Sequence, residues 1–170
     1  MHNNNAVQDA RLIHQLDRLR DEAEMRKARR WWRDEFRPSS ASDYLQVEMA
    51  HGTPQNKWLR QVSTYWGMAA ALALDGTLSE KALLRSEFSD EMFVMFAKIQ
   101  PFLKQLRQRT RNPEFMANVE RVILNSNKAR ERLREVSKHT TPRPRAASSQ
   151  PPEIGLHRLA IVREGNPDRA

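Results

Sequence analysis

The stretch TPQNKWLRQVSTYWGMAAALALDG, residues 53–76, decides the fold. Thr53 is a residue that caps helix N-termini, and Pro54 follows at the first helical position, where its missing N–H is not needed. Gly76 supplies the stop, because glycine accepts the left-handed backbone that ends many helices. Between these signals Trp58, Leu59, Val62, Tyr65, Trp66, Ala69, Ala70, Ala73 and Leu74 recur at helical spacing over a wide arc. A helix with so broad an apolar surface has to be covered from several sides. It is therefore expected to be the central, most buried helix of an all-α domain, with Gly67 and the alanines admitting close neighbours.

Upstream, residues 8–36 contain no Gly or Pro and end at Phe36-Arg37-Pro38, which predicts one long helix. Its apolar residues form two stripes. Leu12, Leu16, Leu19 and Ala23 make the first, and Met25, Ala28, Trp32 and Phe36 the second, pointing to nearly the opposite side. One stripe is expected on the core and the other on a partner. Ser39 to Asp43 offer caps for a short helix that Gly52 closes.

Downstream, Thr77-Leu78-Ser79-Glu80 fits a capping box and a short helix to about Arg85. Ser89-Asp90-Glu91 reads as the start of a longer helix, with Asp90 and Glu91 in its first turn. Its apolar period Met92, Met95, Phe96, Ile99, Phe102, Leu103 and Leu106 runs through Pro101, predicting a kink and not a break. Asn112-Pro113-Glu114 opens the last helix, with Phe115, Val119, Val122, Ile123, Ala129, Leu133 and Val136 inward, to Lys138. The fold class is thus all-α: an irregular bundle of about four long and two short helices over residues 6–138. Residues 139–170 hold four prolines between 142 and 152 and read as a basic, mostly disordered tail. Within it, Ile154, Leu156, Leu159, Ile161 and Val162 form an apolar segment fit to dock on a partner or on the domain.

The net charge of +8 is unevenly placed: residues 98–138 carry a net +7. Lys98, Lys104, Arg107, Arg109, Arg111, Arg121, Lys128, Arg130, Arg132 and Arg134 would make a basic surface able to bind nucleic acid by counterion release. The charges point in several directions around their helices, and Glu131 and Glu135 pair with neighbours, so a solvated face is the simpler reading. Trp31 and Trp32, beside Arg29, Arg30 and Arg33, are expected in the core with arginine stems over them.

There is no Cys, so disulfides, thiolate metal sites and Cys nucleophiles are excluded. His2, His14, His51, His139 and His157 follow no metal-ligand spacing, and no phosphate loop, nucleophile elbow or triad pattern occurs. No metal, cofactor or enzymatic activity is expected; an active site in a groove beside Tyr65 and Trp66 is the weaker rival. The longest apolar run, near residues 68–74, is too short to span a bilayer, and the N-terminus lacks a secretory pattern, so a cytoplasmic protein is expected.

Several segments carry a family resemblance: Ala28-Arg29-Arg30-Trp31-Trp32, Glu35-Phe36-Arg37-Pro38, Tyr65-Trp66-Gly67-Met68-Ala69-Ala70, Leu74-Asp75-Gly76, Phe96-Ala97-Lys98-Ile99-Gln100-Pro101, Leu106-Arg107 and Asn112-Pro113-Glu114-Phe115. Over about residues 8–125 the chain resembles a family of small bacterial helical proteins of unknown function. The resemblance implies a helical domain and brings no catalytic residues. The function expected is a helical protein-interaction or regulatory module, self-associating through Leu12, Leu16, Leu19 and Ala23. The alternative is nonspecific nucleic-acid binding through Lys104, Arg107, Arg111, Arg121, Lys128 and Arg132.

Overall fold

The computed structural model describes residues 2–140 and is all-helical over that span. Helices α1 (His2–Asp21) and α2 (Ala23–Asp34) are followed by α3 (Ala41–Met49) and the long α4 (Pro54–Leu74). A short α5 (Glu80–Leu83) leads to α6 (Ser86–Ile99), a 3₁₀ turn (Gln100–Phe102) and α7 (Leu103–Thr110). Helices α8 (Ala117–Asn125) and α9 (Asn127–Thr140) complete it. The tail beyond residue 140, including the apolar segment from Ile154 to Val162, lies outside the described residues.

Helix α4 is the hub, as its sequence demands. It packs on α2, α3, α5 and α8, and Leu59, Trp66, Ala69 and Ala70 are completely buried. Thr53 caps it by accepting from the Asn56 N–H at 3.2 Å, and Gly76 past its end has a φ of +79°. Helix α6 forms the second layer against α2, α8 and α9, with Met92, Phe93, Met95, Phe96 and Ile99 buried. No helix among the described residues is long and apolar enough to cross a membrane.

The single helix expected over residues 8–36 is two helices. Glu22 is extended, with φ −59° and ψ 140°, so the chain turns between the two apolar stripes and part of the first, Leu12 and Leu16, faces the same core as the second. Leu16 is buried on one arm and Ala28, Trp32 and Phe36 on the other. A carbonyl left over at the end of α1 is taken up across the elbow, where Arg29 Nη1 donates to Arg20 O at 3.4 Å.

The last helix also divides. It does not begin at Asn112: Arg111 and Met116 are left-handed (φ 53° and 58°), and α8 starts at Ala117. A second break falls at Ser126, with φ −115° and ψ 125°, where the hydroxyl caps α9 by accepting from Ala129 N–H. This break lets Val119, Val122 and Ile123 face the core from α8, packed on α4, while Ala129 and Leu133 do so from α9, packed on α6.

Three further boundaries differ from the sequence reading. Ser79, not Thr77, caps α5, because Asp75 holds the Thr77 N–H while Asp9, from distant α1, accepts from both the N–H and the hydroxyl of Ser79. Helix α6 starts at Ser86, so Ser89 is a buried interior residue whose hydroxyl donates to Arg85 O. At Pro101 the helix is interrupted by the 3₁₀ turn instead of merely kinked, yet Ile99, Phe102, Leu103 and Leu106 stay buried and Pro101 exposed.

Lys98 ties the two layers together. Its ammonium donates to Trp32 O, to Arg33 O at 3.1 Å and to Phe36 O at 2.9 Å, closing the C-terminus of α2 from α6. It is a buried cap and not part of a basic surface. Burial lowers its pKa to about 8, with Arg37 acting the same way and Asp34 opposing. In the unfolded chain the amine keeps its proton to about 10.5. Between those values the unfolded state binds the extra proton, so this group's contribution to stability grows with rising pH and is lost as pH falls through 8. The wild type is therefore expected to gain stability over Lys98→Met between pH 8 and 10, by at most about 1.4 kcal/mol per pH unit. Parallel denaturant titrations of the two proteins measure this; a gap that stays flat or narrows contradicts it.

Candidate functional site

Two surface features meet at the α1–α2 elbow. The first is a cavity of about 240 Å³ lined by residues of α1, α2 and α6. Trp32, Phe88 and Met95 line it and are buried, and Val94 adds a half-buried apolar side. Its charged core is a clasp. Glu91 accepts from Arg29 Nε at 2.8 Å and from Arg20 Nη2 at 3.3 Å, so one carboxylate stands between two guanidinium groups.

Arg20 is the most enclosed of these, its side chain 11% exposed. Its Nη1 donates to Phe88 O at 3.0 Å, and its guanidinium lies over the rings of Trp66 and Phe88 at 5.4 and 5.3 Å. Its Nε is buried without an acceptor, as is Trp32 Nε1. Exposed Arg33, Glu87 and Asp90 lie at the rim, with Arg33 paired to Asp34 at 2.9 Å and Asp90 to Arg132.

The second feature is a shallow groove on another side of the elbow, lined by Leu19, Glu22, Met25, Arg60, Gln61, Thr64, Tyr65 and Met68. Leu19 and Met68 are 40% and 42% exposed, large values for such residues, and the Gln61 Oε1 is buried without a donor. Tyr65 contributes its ring, while its hydroxyl donates to Leu16 O at 3.2 Å. Burial raises that hydroxyl's pKa well above the ordinary value, so it stays protonated.

The candidate residues from the sequence fall in different places. Leu16 is in the core, Leu12 is half-buried against it, and Leu19 and Ala23 are exposed beside the elbow. Of the basic residues, Arg107 is engaged by Phe115 O and Glu120, Arg121 by Glu114, and Arg132 by Leu84 O, Ser89 Oγ and Asp90 with its guanidinium over Phe93. Lys104, Arg111 and Lys128 are exposed. Trp31 and Trp32 are core, Trp31 stacking on Phe36 at 4.7 Å. Trp66 is entirely buried beside Tyr65, so the pair is packed interior. No group of three or more metal-binding side chains is found among the described residues.

The sequence reading missed the clasp. The sequence places Glu91 in a first helical turn, but α6 begins five residues before it, and no spacing rule links position 91 to positions 20 and 29. The signal available was the density of arginines and carboxylates on residues 9–33, too common a pattern to single out Arg20.

A family model described as Domain of unknown function (DUF4760) matches residues 5–126, from α1 to the Ser126 break. The chain belongs to that family. No curated protein and no solved structure matches it.

Removing the shared carboxylate leaves Arg29 without an ion-pair partner among the described residues and Arg20 with only Asp17, at 3.5 Å, the costly way to break such a group. Glu91→Ala is expected to lower unfolding free energy by about 2 kcal/mol, a figure reduced for the partial exposure of Arg29. Adding Arg29→Met should recover part of the loss. Additive losses in a denaturation double-mutant cycle would show that the clasp does not couple these residues.

Proposed function

We propose that this member of the DUF4760 family is a helical interaction module that self-associates through the groove of Leu19, Met25 and Met68, and that it acts inside the cell without catalysis or a cofactor. The observation carrying this reading is the juxtaposition of exposed Leu19 and Met68 with two opposite charges, Glu22 and Arg60, in one groove. Both charged residues are exposed, and neither makes an ion pair among the described residues.

A two-fold axis through the groove would set Glu22 of one copy against Arg60 of the other, twice, and bring the apolar side chains together. Such self-complementarity is what an isologous dimer requires. Methionine side chains adapt readily to a matching copy. The patch is small, so the association belongs with modest, concentration-dependent dimers. The expected partner stripe is thereby revised: Leu19 and Ala23 are available, Leu16 is not.

Nucleic-acid binding by the basic residues of 98–138 draws less support. Lys98, Arg107, Arg121, Arg130, Arg132 and Lys138 are already engaged by carbonyls or carboxylates, so six of the eleven cations in this stretch are committed within the chain.

Sedimentation over a concentration series is expected to show a monomer–dimer equilibrium that Leu19→Glu and Met68→Glu each abolish, with helical circular dichroism retained. Glu22→Arg and Arg60→Glu should each weaken the dimer and together restore it. A wild type monomeric at every concentration, or a dimer indifferent to Leu19→Glu, defeats the proposal.

A further inference from the structure

Helix α9 is joined to the rest of the molecule as an appendage. The backbone is extended at Ser126, and α9 starts afresh with its own cap, the Ser126 hydroxyl accepting from Ala129 N–H at 3.2 Å. The family match ends at the same residue, so the part of the chain that defines the family stops where α9 begins. An isolated helix of 14 residues is marginal in water, so α9 owes its shape to the surface it packs on. Its inner side is narrow: Ala129 and Leu133 are buried and Val136 is partly buried, while Lys128, Glu131, Arg134 and Glu135 are exposed.

The surface beneath it receives one side chain in particular. Arg132 donates from Nη1 to Leu84 O and to Ser89 Oγ, each at 3.1 Å, and from Nη2 to Ser86 O at 3.4 Å and to Asp90. Its guanidinium lies 4.2 Å above the centroid of the Phe93 ring. Leu84 directly follows α5, and the other four residues belong to the first turns of α6, where Ser89 and Phe93 are fully buried. Apolar side chains at i, i+4 and i+7 beside such an anchor form the pattern by which a groove captures a partner helix. Helix α9 does not fill the trough it lies in. A groove of about 510 Å³ runs beside its start, lined among others by Leu84, Arg85, Phe93, Ser126 and Ala129.

From the separate start of α9, its narrow buried stripe and the cup that holds Arg132, we infer that α6 and the turn before it form a docking groove for an arginine-bearing amphipathic helix, filled in cis by α9 and open to the α9 of a second copy in exchange. Ala129, Arg132, Leu133 and Val136 are the residues that fit it, and a second copy presents the same four. Trading an identical element between copies is a low-cost exchange. The link through Ser126 keeps the cis helix at a high local concentration, so exchange is rare in the wild type and rises when the cis helix is weakened. This groove shares no lining residue with that of Leu19 and Met68, so it stands or falls independently of association there.

The test uses the full chain, first alone in hydrogen exchange and then titrated into a fluorescein-labelled synthetic peptide of residues 127–140 read by anisotropy. In the wild type the α9 amides are expected to exchange as one set, at least about tenfold faster than those of neighbouring α8. The peptide should bind the wild type weakly, and full chains carrying Leu133→Asp or Arg132→Gln at least about tenfold more tightly, because the cis helix no longer holds the groove. A peptide carrying either substitution should bind those chains at least about tenfold more weakly than the wild-type peptide does. Amides of α9 as protected as those of α8 overturn the inference, and so does a peptide affinity no higher for the two variants than for the wild type. Equal binding of the substituted peptides overturns recognition through Arg132 and Leu133. If both variants lose cooperative unfolding, α9 belongs to the core and the groove is no docking site.

Discussion

The structure depends on one requirement: the broad apolar face of α4 has to be covered. Trp66, Leu59, Ala69 and Ala70 expose nothing to solvent, and burying side chains of this size supplies the main favourable term in folding. A straight helix presents one stripe to one neighbour. The chain on either side of α4 carries apolar stripes that wander around the helix, and a rigid rod would leave part of each in water. Breaking the rod at Glu22 and again at Ser126 turns the larger part of the stripes inward, with Leu19 and Ala23 left outside at the first bend.

Helix ends need partners, and cations from elsewhere in the chain provide several of them. Lys98 closes α2, Arg29 reaches the end of α1, Arg132 reaches Leu84 O just after α5, and Arg107 reaches Phe115 O before α8. Cations near helix C-termini also meet the negative end of the helix dipole. These cations are therefore structural. A net charge of +8 describes composition, and only the geometry separates cations that hold the fold from cations that face water.

How legible the molecule was from sequence follows from the range of each interaction. Local signals read correctly: Ser40, Thr53 with Pro54, and Gly76 all stand where their chemistry puts them. The wide apolar arc of residues 58–74 identified the hub because periodicity alone carries that information. Boundaries set from afar did not read. Ser79 caps α5 with Asp9 holding it from 70 residues away, and Glu91 is defined by residues 20 and 29. The elbow at Glu22 was visible as a change of apolar face, but a change of face is equally compatible with two partners on a straight helix and one core on a bent one. Neither Gly nor Pro marks the spot, so the choice belongs to tertiary packing. At Asn125-Ser126-Asn127 the three residues are weak helix formers with strong capping tendency, a signal outweighed in the sequence reading by the apolar period running across them.

The elbow also explains where function is sought. Consecutive residues Leu19 and Arg20 leave α1 in different directions, one to the exposed groove and the other into the charged cavity. A continuous helix at this point would fill its i→i−4 ladder and present an ordinary surface. Because the backbone turns, two helix ends, a guanidinium pair and an uncovered apolar edge are brought within a few residues of one another. The bend thus places two buried unpaired donors, Arg20 Nε and Trp32 Nε1, and an exposed hydrophobe, Leu19, close together in the fold. That concentration, and not the basic surface that composition suggests, is the feature in which this chain departs most from a merely stable helical bundle.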